Sequence, residues 1–458
     1  MPIKNQTVSL TIESVDGMMN GVAHADGQTV FIPGALSGEK ITAQFVKCAK
    51  NYAFARILSF EEKSPLRVLP PCPVYQQCGG CSALHLRYDA TLEIKREAVA
   101  QILRRIGGVD IEVPPVIGMD EPFRYRNKTA MPVSGTAGAP VAGFYSSRSH
   151  RLVPVRECLI SKPESNLIAA AVLEWMHAYQ IAPYDEATGH GLIRHIVSRV
   201  SRAGESMAVV VASDPNVPHT AELCALLKKR VPGLISVCLS VNSRGDNVIL
   251  GSSYRVLDGA ERLNDTLCGY HFSLSPLSFF QINPIQTEKL YQTALRFAEL
   301  SGNETVVDLY CGAGTISLLL AKAARRVIGI EIVPEAIADA KENALANGVD
   351  HIAFHAGAAE ELLPAFVADG LRPDVVVLDP PRKGAEKAVL DAIAKAAPTR
   401  VVYISCDPAT QARDIKLLTA SGYHLSRVQP VDMFCWTAHV ENVALLEKDD
   451  ICSACQSI

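Results

Sequence analysis

Cys406 ends the apolar run VVYISC, at what reads as the carboxyl end of a buried strand. In open α/β sheets, ligands and reacting groups collect beyond the carboxyl ends of the strands, so a thiol there is placed to act as a nucleophile. An electropositive or helix-start setting would lower its pKa. Cys435, in MFCWTAH, competes for the role but follows no parallel strand. Glu441, in HVENVALL, puts a carboxylate at the start of an apolar stretch, where it could serve as a general base. Upstream, DLYCGAGTISLLLA reads as a strand, a turn built on Gly312 and Gly314, and a helix start, with Cys311 as a packing residue. Such glycines let the backbone approach a ligand closely. The next strand, RVIGIEI, ends in Glu331, 19 residues after Gly312, which suits the hydroxyls of a ribose. A later strand ends Asp379-Pro380-Pro381. Finally, Cys72, Cys78 and Cys81 form C-x5-C-x2-C between Pro and Gly turns, and Cys158 lies 77 residues beyond. Thiolates so spaced bind zinc or an iron–sulfur cluster, and spacing does not choose between them.

The glycine turn and ribose acid fit two cofactor classes. A dinucleotide fingerprint needs a third glycine where this chain has Ser317. S-adenosylmethionine-dependent methyltransferases combine an acidic Gly-x-Gly turn, a ribose acid and an (Asp/Asn)-Pro-Pro strand end, which favours them over a nicotinamide enzyme. A nucleophilic cysteine then has a use. Carbon 5 of uracil is too weak a nucleophile to attack a sulfonium methyl; a thiolate added to carbon 6 puts electron density on carbon 5, and a base must afterwards remove the carbon 5 proton. Enzymes that methylate exocyclic base amines share the Pro-Pro motif, but favour an aromatic residue where Arg382 stands and need no such cysteine.

The positioning elements follow from pattern. The chain has 458 residues, 48% hydrophobic and 20% charged, an ordinary globular balance that excludes disorder, collagen and coiled coil. No apolar run approaches the roughly 20 residues of a membrane span, and the start MPIKNQTVSLTIESVDG lacks a signal peptide's apolar core, so a soluble, cytoplasmic protein without membrane contact is expected. Thirteen scattered cysteines suit a reducing compartment. The net charge of −4 argues against coating nucleic acid by bulk charge, although residues 1–160 carry 18 basic and 14 acidic side chains. The first sixty residues read as about five short strands of a small OB-like barrel, closed by the Pro-rich SPLRVLPPCP. A helix is predicted through DATLEIKREAVAQILRRIGG. From about 120 to 265, strand-like pieces (VAGFYSS, LIRHIVSRVS, SMAVVVAS, ISVCLSVN, NVILGSS) and a helix around NLIAAAVLEWMHAYQ suggest a mixed α+β insert. After residue 300 strands and helices alternate, which implies a parallel sheet covered on both faces. Residues 122–156 interleave Arg124, Arg126, Lys128, Arg148, Arg151 and Arg156 with Phe123, Tyr125, Phe144 and Tyr145, a pattern suited to phosphate contacts and base stacking.

Taken together, DLYCGAGTISL, SFFQINPIQTEKL, LDPPRKG, SCDP and HVENVALL resemble the bacterial RNA uracil-5-methyltransferases, over nearly the whole chain. The resemblance implies an α/β protein with a TRAM-type OB-like barrel in residues 1–62, a central α+β iron–sulfur domain in 63–265, and a Rossmann-like S-adenosylmethionine-dependent methyltransferase domain in 266–458. It places the helix of 89–107 against the catalytic domain. It makes Cys406 the nucleophile and Glu441 the base. Gln281, Tyr310, Glu331 and Asp379, with Gly312 and Gly314, would line the S-adenosylmethionine site, and Phe279 or Phe280 could stack on an extruded uracil. Cys72, Cys78, Cys81 and Cys158 would hold a 4Fe–4S cluster, with the Cys452/Cys455 tail pair a weaker rival for metal. The implied partner is RNA, 23S ribosomal RNA ahead of transfer RNA, with no obligate protein partner. The alternative from another class is a non-catalytic iron–sulfur RNA-binding protein.

Overall fold

In the computed structural model, residues 2–449 are described; Cys452 and Cys455 lie outside them. The N-terminal strands form one six-stranded sheet in the order Thr7–Thr11, Lys40–Cys48, Tyr52–Glu62, Gln28–Pro33, Asn20–Ala25, Ser14–Val15. Strict alternation turns Ile41, Ala43 and Phe45 inward, where they meet Leu10, Ile12, Val30 and Ile32. The expected five or so strands become six because Ser14–Val15 pairs briefly with Asn20–Ala25. The Pro-rich boundary is pinned rather than loose: Arg67 donates to Glu39, a carboxylate with no exposed surface.

A second, seven-stranded sheet follows, with helices Pro163–Ala178 and Thr220–Arg230 against it. Four of the five strand-like pieces expected here are strands. NVILGSS is not, because the Val248 and Ile249 carbonyls accept from the Asn242 side-chain amide instead of a neighbouring strand.

The C-terminal sheet is the one that positions the chemistry. Its strands are β1 (Thr305–Leu309), β2 (Arg326–Glu331), β3 (Ile352–Ala356), β4 (Val375–Leu378), β5 (Arg400–Ser405), β6 (Tyr423–Val431) and β7 (Glu441–Lys448). Their order is β3-β2-β1-β4-β5-β7-β6, with β7 antiparallel to both neighbours. The central strands β1, β4 and β5 are almost wholly apolar because they are buried on both sides. Val306, Val375, Val377 and Val402 face one helical layer, while Val307, Val376, Val401 and Tyr403 face the other.

The helix Tyr88–Ile102 continues as one π-turn to Gly107, and Gly108 ends it with φ of +70°. Val99 and Leu103 share an apolar cluster with Ala412 and Ile415 of the helix Pro408–Thr419. Beside them Lys95, 1% exposed, donates to Asp432, which has no exposed surface, at 2.5 Å; Tyr88 donates to the other carboxylate oxygen at 2.7 Å. Asp432→Ala should therefore strand a buried ammonium and cost about 3–5 kcal/mol in urea unfolding. The double change Lys95→Met/Asp432→Ala should cost less. A single change within about 1 kcal/mol of wild type would refute this account of the junction. Among the described residues, no helix is long and apolar enough to cross a membrane.

Candidate active site

Strand order reverses between β1 and β4, and the crevice at their carboxyl ends collects most of the expected residues. In β1, Asp308 has no exposed surface; Ser317 donates to one carboxylate oxygen and the other has no partner among the described residues. Burial, with the charges of Asp379 and Glu331 adding to it, pushes this carboxyl up to about 7. Glu331, at the end of β2, accepts from the amides of Gly312 at 3.2 Å and Val333 at 3.0 Å, which closes the glycine turn onto the acid. Gly312 has φ of +54° and open space where a Cβ would stand; on Gly314, φ +80°, a Cβ would press on Phe354 and Ala340 at 3.0 and 3.1 Å. Gln281 lies within hydrogen-bonding reach of the Tyr291 hydroxyl, which in turn meets Thr315 and feels the charge of Asp379. Tyr310 sits on the other flank at φ +63°, nearer Glu360 and Glu386 than the acids of the crevice.

Cys406 follows β5, and its neighbour Asp407 caps the next helix by accepting from Ala409 and Thr410. The antiparallel register pairs Ser405 with Asn442, so one further step sets Cys406 opposite Glu441. Glu441 is 3% exposed, whereas Cys406 is half-buried and open to the crevice. Burial first, then Asp379, drives the Glu441 carboxyl well above its usual range, with Arg382 opposing. Asp379 is itself pushed up to about 7 by burial.

The Cys406 thiol is pushed up to about 11, so its strand-end, helix-start position does not by itself acidify it. Burial dominates, the charges of Glu441 and Asp379 add to it, and Arg382, which hydrogen-bonds the sulfur, pulls the other way. Arg382, in the sequence only a discriminator against amine methylation, is among the described residues the one cation felt by both reacting groups. Because its charge favours the thiolate, Arg382→Gln should move the thiol further up. At pH 8 the Cys406 peptide should then be alkylated about tenfold more slowly than in wild type, with the whole rate profile displaced to higher pH. An unshifted profile would remove Arg382 from the site.

Four other cysteines come together from distant segments. Cys72, Cys78, Cys81 and Cys158 line one cavity of about 70 Å³ with Phe144, Val155 and Ile160. The Cys81 thiol is pushed up to about 12, by burial and then by Cys158, Cys78 and Cys72. Among the described residues no group of three or more His, Cys, Asp or Glu is disposed to hold a metal ion, so the thiols share a cavity without closing on one point. The loop after Cys81 is tied to the catalytic domain: the amides of Ser82 and Ala83 donate to the Trp436 carbonyl, and the indole N–H donates to Pro122.

The basic and aromatic stripe divides. Tyr125 is buried with its hydroxyl on the Cys435 carbonyl, Phe123 stacks on Trp436, and Phe144 faces the cysteine cavity. These aromatics serve packing rather than an RNA-stacking face, because Trp436 supplies an apolar surface that the sequence did not disclose. Cys435, the rival nucleophile, is fully buried beside Tyr88 and Asp432. Phe280 is core, packed on Phe272, whereas Phe279 stands 71% exposed.

Comparison with known proteins agrees with this geometry. Residues 219–449 match the tRNA (uracil-5-)-methyltransferase family and residues 4–58 match the TRAM domain. An uncharacterized RNA methyltransferase of Halalkalibacterium halodurans is 47% identical over 446 residues, 97% of either chain. One of Listeria innocua is 46% identical over 444 residues, 97% of this chain and 98% of its own. Among solved structures, the Pyrococcus abyssi tRNA (uracil-54, C5)-methyltransferase in complex with S-adenosyl-L-homocysteine superposes with a TM-score of 0.77. It is 26% identical, and the match covers 96% of this chain and 100% of that one. With its strand order, its crevice of buried acids and these relatives, the chain belongs to the tRNA (uracil-5-)-methyltransferase family of RNA-modifying enzymes and carries an N-terminal TRAM domain.

Proposed function

We propose that this enzyme methylates carbon 5 of a uridine in RNA, with S-adenosylmethionine as donor and Cys406 as covalent catalyst. The observation that carries the reading is the placement of the Cys406 thiol opposite Glu441 and beside Asp379, in one crevice. The crevice fits a cationic donor: Asp308, Asp379 and Glu441 are buried carboxyls whose ionisation a bound cation would favour, and one carboxylate oxygen of Asp308 has no partner among the described residues. Glu331 and the Gly312–Gly314 turn would hold its ribose, Gln281 would lie between donor and base, and Tyr310 would complete the wall. When bound, S-adenosylmethionine supplies an electrophilic methyl group.

The residues divide the work. Arg382 stabilises the Cys406 thiolate, which adds to carbon 6 of the uracil and leaves carbon 5 nucleophilic. After carbon 5 has taken the methyl group, Glu441 removes the proton from that carbon. The electron pair re-forms the C5–C6 double bond and expels the Cys406 thiolate. A carboxylate raised well above its ordinary range is a stronger base, which suits Glu441 to that step. With RNA tritiated at carbon 5 of uracil, each methyl transferred should release one tritium to water; methylation without release would exclude this route.

The RNA is assigned as 23S ribosomal RNA on the combination of TRAM domain and cysteine insert, with transfer RNA the second reading because the matched family and the Pyrococcus abyssi enzyme carry that name. Mapping 5-methyluridine in a deletion strain decides between them. Cys72, Cys78, Cys81 and Cys158 are assigned to a 4Fe–4S cluster. Four thiols lining one cavity match in number the thiolate ligands that such a cluster takes. Such a cluster would cross-link the insert beside the Trp436 turn. Anaerobic purification should give brown protein; colourless protein with stoichiometric zinc would overturn the assignment.

A further inference from the structure

Lys128 and Arg199 stand directly opposite each other across the antiparallel pair Lys128–Thr136 and Ile193–Val200. Like charges in that position repel, and burial sharpens the repulsion: Arg199 is 3% exposed and Lys128 half-buried. Among the described residues no carboxylate relieves it. Among those residues Arg199 is the only charge that lowers Lys128, and burial lowers Arg199 with no carboxylate offsetting it. The Arg199 Nε has no partner, while its terminal nitrogen donates to the carbonyls of Pro276 and Ser278. Next to Lys128, the Asn127 amides donate to the Gln281 and Ile282 carbonyls at 3.0 and 2.9 Å. The pair thus lies under the loop that presents exposed Phe279 and carries Gln281 into the crevice.

Two apposed cations retained without an internal counter-ion are explained if the counter-ion arrives with the ligand. We infer that Lys128, backed by Arg199, is an anion subsite for a phosphodiester of the RNA, one next to the nucleotide offered to Phe279 and Gln281. The inference rests on the chain being an RNA methyltransferase and not on the covalent route at carbon 5. Lys128 makes the contact through its ammonium. Arg199 holds the loop and contributes a fixed positive field. Burial and Arg199 hold the Lys128 ammonium down to about 8 in the free protein, a penalty that a phosphate would remove.

The test uses the full-length protein, saturated with S-adenosylhomocysteine, and in vitro transcribed 23S rRNA and tRNA as probes. For the RNA that wild type binds more tightly, Lys128→Met should weaken affinity about tenfold near 0.1 M salt and reduce the slope of log K against log salt by about one. Lys128→Arg should retain the slope. S-adenosylhomocysteine affinity should stay as in wild type, and the Tm of Lys128→Met should be equal or higher, since a repulsion has been relieved. An unchanged salt slope in Lys128→Met would overturn the inference. So would weakened S-adenosylhomocysteine binding with the slope intact, which would give the amine to the donor's carboxylate. A Tm loss that Lys128→Arg repairs without any change in slope would make the residue structural. None of these readouts requires methyl transfer, so failure of the carbon 5 chemistry would be seen separately, as absent tritium release.

Discussion

Cys406→Ala is expected to abolish covalent trapping by 5-fluorouridine-substituted RNA and to lower methylation by at least about 10⁴-fold, while leaving the fold intact. The size of the effect follows from the chemistry. Without a sulfur bonded to carbon 6, carbon 5 has no electron pair to give, and positioning alone cannot replace that step. The fold should survive because Cys406 is half-buried at a strand end and lies outside the apolar clusters on either face of the sheet. The two nearest competitors in the sequence are poorly placed to substitute: Cys311 and Cys435 are buried, and burial pushes both thiols up. Trapping that persists in Cys406→Ala would dismiss the mechanism; trapping that vanishes while S-adenosylhomocysteine still binds would support it.

Glu441→Gln should split the reaction in two. Gln accepts no proton, so methyl transfer should proceed and then halt, and a methylated protein–RNA adduct should accumulate on denaturing gels with unmodified RNA. Turnover should fall by about 10²–10⁴-fold. A second effect has the opposite sign. The Glu441 charge is among the causes that raise the Cys406 thiol, so its removal should lower that pKa and speed alkylation of Cys406 at a given pH. A structural defect would slow or scramble both reactions. Arrest of turnover together with faster alkylation is the signature of a base facing the nucleophile, and near-wild-type turnover would remove Glu441 from the chemistry.

Much of this site was legible in the sequence, and it was legible where the information is local. The glycine turn, the acid 19 residues on and the Asp-Pro-Pro strand end are short patterns whose backbone requirements are met by adjacent residues. Strands β1, β2, β4 and β5 declared themselves as apolar runs because they are buried on both faces. Strand β6, YHLSRVQPV, mixes polar and apolar residues without that signal and was not anticipated.

The tertiary structure decided what depends on residues far apart in the chain. Cys406 and Glu441 are 35 positions apart, and only the reversed direction of β7 between β5 and β6 brings the second to the end of the strand that bears the first. An electropositive or helix-start setting can lower the pKa of a thiol. The fold raises that of Cys406, because electrostatics and desolvation sum over everything within a few ångströms, and here that includes two carboxylates and one arginine. The buried Lys95–Asp432 pair, 337 positions apart, carries no local sequence signal, and only packing brings the two together and removes the water from around them. Sequence alone determined which groups the chain possesses and which short turns can present them; proximity, and with it the protonation and reactivity of each group, arose only when non-local packing fixed its neighbours and its solvent.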